Sequence, residues 1–145
     1  MRPVFDANIF ITYKNQLTDE DYDAMALSMV VLYELTARVM DKTEWQYHEK
    51  LRKRYDEDGL LLVPTMSDWW ETAKLIARVR YHAQKGYYKT SQKLPDAQRL
   101  QNDALIARAA YLKKFYVVTE NTKDFELFMP FLNVQIVSAN EYFGL

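Results

Sequence analysis

The chain contains no cysteine, which removes disulfides, iron–sulfur clusters, thiolate zinc sites and thiol nucleophiles from consideration. Its only histidines, His48 and His82, are too few for a three-histidine metal site. The glycines, Gly59, Gly86 and Gly144, are isolated, so neither a Walker loop nor a GxGxxG fingerprint is present. With only four prolines as well, turn residues are too scarce for a β-sandwich or small barrel. The composition favours helices with few, short strands. A net charge of −1 gives no general attraction for polyanions, so any nucleic-acid contact requires a local basic patch. No apolar run approaches the ~20 residues of a membrane span, and residues 1–12 lack a signal-peptide pattern. The expectation is a cytoplasmic protein without membrane contact.

What is present fits a single domain over residues 1–145, with 49% hydrophobic and 27% charged residues. Pro3-Val4-Phe5 reads as a strand ending at Asp6. Thr18 to Asp23 is an acidic stretch that opens a helix or forms a solvated loop. Ala26-Leu27 is a short strand candidate, and Ser28 is placed to cap a helix from Met29 to about Met40. A charged helix spans Lys42 to about Tyr55. Leu60 to Val63 is a continuous apolar run before Pro64, the pattern of a strand buried on both faces. Thr65 or Ser67 opens the next helix, the former with Asp68 three residues on in capping-box spacing. Asp96 caps a further helix carrying Leu100, Ile106 and Ala110. Phe115 to Val118 and Val134 to Val137 are the remaining strands, with a short helix near Phe125 to Phe128. Strands alternating with helices predict an α/β fold with a mainly parallel sheet.

In such a sheet, ligands bind at the carboxyl ends of the strands. Asp6 closes the first strand, and Asp124 lies just past the strand ending at Val118. Glu34 and Asp103 sit among apolar residues of helices. Each acid also has a structural reading: Asp6 as a turn residue, Asp124 as a helix cap, Asp103 as a solvent-facing position. Glu34 is the hardest to explain away, because Glu is rarely buried without a partner. Clustered carboxylates protonate or collect a cation. Without Cys or a His cluster, an all-oxygen site suits Mg²⁺ or Mn²⁺, and no cationic side chain is obviously placed to neutralise the four acids.

The segments Val4-Phe5-Asp6-Ala7-Asn8, Ser28 through Glu34-Leu35, Asn102-Asp103-Ala104-Leu105-Ile106-Ala107 and Val118 through Asp124-Phe125 resemble, in order, the four motifs of PIN-domain ribonucleases. The similarity is closest to the toxins of VapBC-type toxin–antitoxin pairs and spans the whole chain. The resemblance implies a three-layer α/β/α PIN-like fold and Mg²⁺- or Mn²⁺-dependent endonucleolytic cleavage of RNA. It also implies inhibition by a small VapB-like antitoxin. Asp6, Glu34 and Asp103 match the family's three near-invariant acids, and Asp124 matches the more variable fourth. Asn8, Thr119 and Asn121 match accessory polar positions. The departures are Phe5 in place of a common aliphatic, and extra length expected in the 42–58 helix and the 81–95 connection. The non-catalytic alternative is a PIN-fold module that binds RNA or protein without effective nuclease activity.

A second pattern interleaves Arg80, His82, Lys85, Lys89, Lys93 and Arg99 with Tyr81, Tyr87 and Tyr88. Cations track phosphates and aromatic rings stack on unpaired bases; the competing reading is a solvated loop whose tyrosines pack on the core. Trp69, Trp70, Met29 and Met40 read as core or dimer contacts. The 14% aromatic content and the apolar helices after Ser28 and Ser67 predict a homodimer.

Overall fold

A computed structural model describes residues 1–89 and 93–145. Strand β1 (Pro3–Phe5) lies beside β4 (Tyr116–Thr119), which lies beside β5 (Gln135–Ser138), all parallel. A second parallel pair, β2 (Leu27–Ser28) and β3 (Leu61–Leu62), approaches the other edge of β1 through a bridge between Val4 and Ala26. The helices are α1 (Ala7–Thr12), α2 (Asp19–Ala24), α3 (Met29–Ala37), α4 (Lys42–Glu57), α5 (Met66–Gln84), α6 (Ala97–Lys113), α7 (Thr122–Glu126) and α8 (Ala139–Phe143).

The two-residue period of the strands divides the interior in two. Val4 and Val117 point into one core with Val31, Leu75, Val79, Leu100 and Ile106. Their neighbours Phe5 and Val118 point into the other, with Ile9, Leu32, Leu51 and Tyr55. Helices cover both faces, giving the three-layer α/β/α arrangement expected from the alternation of elements. Among the described residues, no helix is long and apolar enough to cross a membrane.

The expected caps are present. Thr65 closes a capping box with Asp68, and Ser28 and Asp96 accept from Val31 and Arg99 N–H groups; a second box, between Thr18 and Asp21, is not among the expected caps. The acidic Thr18–Asp23 stretch is therefore a helix start.

Several boundaries differ from expectation. Helix α3 stops at Ala37 rather than near Met40, because Asp41 must leave helical geometry to cap α4, accepting from Thr43 N–H at 2.8 Å. The run from Leu60 to Val63 is not a strand buried on both faces: only Leu61 and Leu62 pair, and Val63, next to Pro64, is 58% exposed. The last two strands each begin one residue later than predicted, at Tyr116 and Gln135. The short helix also comes earlier, covering Thr122–Glu126.

Trp69 and Trp70 are not core residues, being 49% and 65% exposed, and Met40 is fully exposed. Helix α5 buries Thr72, Leu75 and Val79. Asp68 continues that stripe through a 3.0 Å ion pair with Arg108 on α6. At 100° per residue, the two tryptophans following Asp68 turn away from that face.

The basic, Tyr-rich connection divides. Tyr88 is packed, donating to the Leu127 carbonyl at 2.6 Å, and the His82 ring meets Tyr87, Tyr88 and Phe131 edge-on. Tyr81 and Tyr87 remain exposed, with Lys85 over the Tyr81 ring. Residues 90–92 of the predicted 81–95 connection lie outside the described residues.

Candidate active site

Parallel pairing of β1 with β4, with Phe5 opposite Val118, brings the carboxyl ends of the two strands level. Asp6 and Thr119 therefore meet just beyond the sheet. Asp6 caps α1, its Oδ1 accepting from Ala7 N–H at 2.8 Å. Its Oδ2 accepts from the Thr119 hydroxyl at 2.8 Å and from the Asn8 amide at 3.1 Å. Thr119 Oγ1 in turn accepts from Asn121 N–H at 3.0 Å, and Asn8 Oδ1 accepts from Glu120 N–H at 3.2 Å. All three accessory positions thus belong to one network around Asp6, although Asn121 enters it through its backbone and makes no side-chain cap to α7.

The other acids arrive from helices. Asp103, on the face of α6 that also buries Leu100 and Ala107, is 7% exposed. Burial first, and then the charges of Asp6, Asp124 and Glu34, push its carboxyl up to about 8, against the opposing pull of Arg99. Glu34, half-buried on α3, is pushed up to about 6 by burial and by Asp6, while the Asn102 amide and Arg99 favour its charged form. Its Oε1 is buried without a hydrogen-bond partner. Asp6 is also raised, by burial, despite its three donors. Asp103 feels the charges of Asp6, Asp124 and Glu34, and Glu34 that of Asp6, which puts the four acids expected from the sequence in one neighbourhood.

The structure also corrects one expectation: a cation is present. Arg99, one helical turn before Asp103 on α6, reaches Asp124 with Nη2–Oδ2 at 2.8 Å. Sequence reasoning grouped Arg99 with the basic connection; its four-residue spacing from Asp103 on one helix was the available clue. Asn102, beside Glu34, was likewise not singled out.

Among the described residues, no three acidic or imidazole side chains stand close enough to grip one ion as they are now arranged. The donor set nevertheless fits a hard divalent cation. It consists of carboxylate oxygens alone, one of them orphaned in the interior, and Asp103 carries the repulsion of three others. A cleft of about 710 Å³ lies elsewhere, between α3 and α4, and is lined by Met29, Leu32 and Trp45.

An open parallel sheet with helices on both faces and acids at its carboxyl edge defines a PIN-like α/β fold. Known structures carry the same fold over nearly the whole chain. VapBC-1 from nontypeable Haemophilus influenzae matches with a TM-score of 0.63 and 18% identity, over 95% of this chain and 98% of that one. VapBC2 from Rickettsia felis bound to a DNA fragment from their promoter gives 0.57 and 20%, over 95% and 98%. FitAcB from Neisseria gonorrhoeae gives 0.54 and 18%, over 92% and 95%. No family model and no curated protein matches the sequence.

Proposed function

We propose that this chain is the toxin of a VapBC-type toxin–antitoxin pair and acts as a Mg²⁺- or Mn²⁺-dependent endoribonuclease. The observation that carries the reading is the convergence of Asp6, Glu34, Asp103 and Asp124 at the carboxyl edge of the sheet, with Asp103 buried among the other three. The fold shared with VapBC and FitAcB structures supports it.

Asp6, Asp103, Glu34 and Asp124 would hold the ion. A divalent ion bound by such oxygens polarises a phosphate oxygen and acidifies water. The chain's own contributions follow from the geometry. Thr119, Asn8 and the α1 N-terminus fix the Asp6 carboxylate, so its orientation costs nothing further when substrate arrives. Glu34, raised to about 6 by burial and by the Asp6 charge, is still mostly ionised at neutral pH and so available as a ligand. Arg99 offsets part of the negative charge that would otherwise repel an RNA phosphate.

The Arg99–Asp124 pair also favours the second reading, a PIN-fold binding module that satisfies its acids internally and cuts nothing. Incubating purified protein with single-stranded RNA, with and without Mn²⁺, and sequencing the RNA ends separates the two. Metal-dependent ends that vanish in Asp103→Asn support the nuclease; uncut RNA at every Mn²⁺ concentration supports the module. A partner antitoxin of the VapB kind would be recovered bound to the protein when both are co-expressed.

A further inference from the structure

Between α3 and the start of α6 lies an open cleft of about 430 Å³ lined by Tyr33, Arg38, Gln98, Arg99 and Asn102 together with two carboxylates, Glu34 and Asp96. Its volume falls in the range of small-ligand sites. Of the cleft's two carboxylates, Asp96 is engaged as the N-cap of α6, accepting from Arg99 N–H, and Glu34 belongs to the candidate active site.

Tyr33 is 58% exposed although Val31, Leu32 and Leu35 around it on α3 are buried. Its ring has no aromatic partner among the described residues. Arg38, just after α3, forms no ion pair among the described residues. Gln98 and Asn102 are four apart on α6, so their amides rise from the same face of that helix. Arg99 is paired with Asp124, and Asn102 is buried against Glu34, so the cleft offers a free aromatic face, the Arg38 guanidinium and the Gln98 amide, directly beside the candidate active site.

That combination matches the parts of an unpaired nucleotide. A base stacks on an aromatic ring, a phosphate meets a guanidinium, and an amide supplies both donor and acceptor to a base edge. An amphipathic peptide would be better served on the other side of Tyr33, where Met29, Leu32 and Trp45 line the larger α3–α4 cleft.

We propose that the Tyr33 cleft holds the nucleotide adjacent to the scissile phosphate of single-stranded RNA. Tyr33 stacks on its base, Arg38 meets its phosphate, and Gln98 biases which base is accepted. This inference rests on the ribonuclease reading.

Nucleoside monophosphates contain no internucleotide bond to cut, so the whole protein can be titrated with AMP, GMP, CMP and UMP in Mg²⁺ while amide shifts are followed by NMR. The expected shifts centre on Tyr33, Arg38 and Gln98. Tyr33→Ala should weaken binding about tenfold and Tyr33→Phe should leave it within about twofold, because stacking uses the ring face rather than the hydroxyl. Gln98→Ala should narrow the differences among the four nucleotides. Equal affinities for wild type and Tyr33→Ala, or shifts confined to the α3–α4 cleft, overturn the proposal. A parallel RNA-cleavage assay in Mn²⁺ tells the two readings apart. Nucleotide binding that depends on Tyr33, in a protein that leaves RNA whole, upholds the cleft as a nucleotide site and removes the ribonuclease reading. RNA cut equally well by wild type and Tyr33→Ala removes the cleft and keeps the ribonuclease.

Discussion

Arg99 reaches across from the first turn of α6 to Asp124 on α7, Nη2 to Oδ2 at 2.8 Å, and so places one guanidinium among four carboxylates. A guanidinium and a divalent ion that seek the same oxygens exclude one another, and linkage requires each to weaken the other. Removing the arginine should strengthen metal binding. Mn²⁺ titration by calorimetry should give a several-fold tighter Kd for Arg99→Gln than for wild type. Because the arginine is half-exposed, the gap should shrink in high salt. Identical affinities would show that Arg99 and the ion occupy separate places.

Asp103 carries the pH dependence. Its folded-state pKa of about 8 lies above the ordinary 3.8, so the folded chain holds this proton more tightly than the unfolded one. Its stabilising contribution is complete below about pH 4 and is lost as pH rises toward 8. Glu34 acts in the same direction, between 4.5 and about 6. In EDTA, the melting temperature should fall by several degrees from pH 5 to pH 8.5, and Asp103→Asn should flatten the slope while abolishing cleavage. A melting temperature that rises over this interval would contradict the burial-driven shift.

Thr119 is fully buried, and its hydroxyl both donates to Asp6 and accepts from the Asn121 N–H. Thr119→Val keeps the shape and deletes both bonds, leaving Asp6 Oδ2 with the Asn8 amide alone and the Asn121 N–H without its acceptor. Urea denaturation should register a loss of about 2 kcal/mol. Cleavage should drop as well, since Asp6 loses one of the donors that orient it. Unchanged stability would mean that water replaces the hydroxyl.

Lys114 ends α6 in the left-handed region, at φ 59°, where a glycine would sit without strain. Lys114→Gly should raise stability by about 1 kcal/mol, read as a shift in the urea midpoint at constant m-value.

We propose that the protein is a homodimer, because Trp45, Trp69 and Trp70 all stand about half or more exposed on helices. Light scattering at micromolar concentration should return twice the 17.2 kDa chain mass. A monomer mass would leave these aromatics to another partner.

Composition and local pattern went far on their own. Capping residues announce themselves by type and spacing, so Ser28, Thr65 and Asp96 opened the helices where expected. Alternating elements dictated a parallel sheet, and acids at strand ends or on apolar helix faces marked the four candidate positions. These features depend on residues within a turn or two of one another.

The remainder was decided by tertiary structure. Which side of α5 is buried was set by its packing against α6, where Thr72, Leu75 and Val79 are buried and Asp68 pairs with Arg108, and Trp69 and Trp70 face the surface. Whether Leu60 to Val63 formed a full strand depended on a partner strand of only two residues. Arg99 looked like one more cation in a basic tract until the packing of α6 against α7 set it beside Asp124. Burial and charge proximity are sums over neighbours distant in sequence, and the local pattern contains no term for them. That is why the acids were visible in the chain, while their shared charge and the arginine among them required the fold.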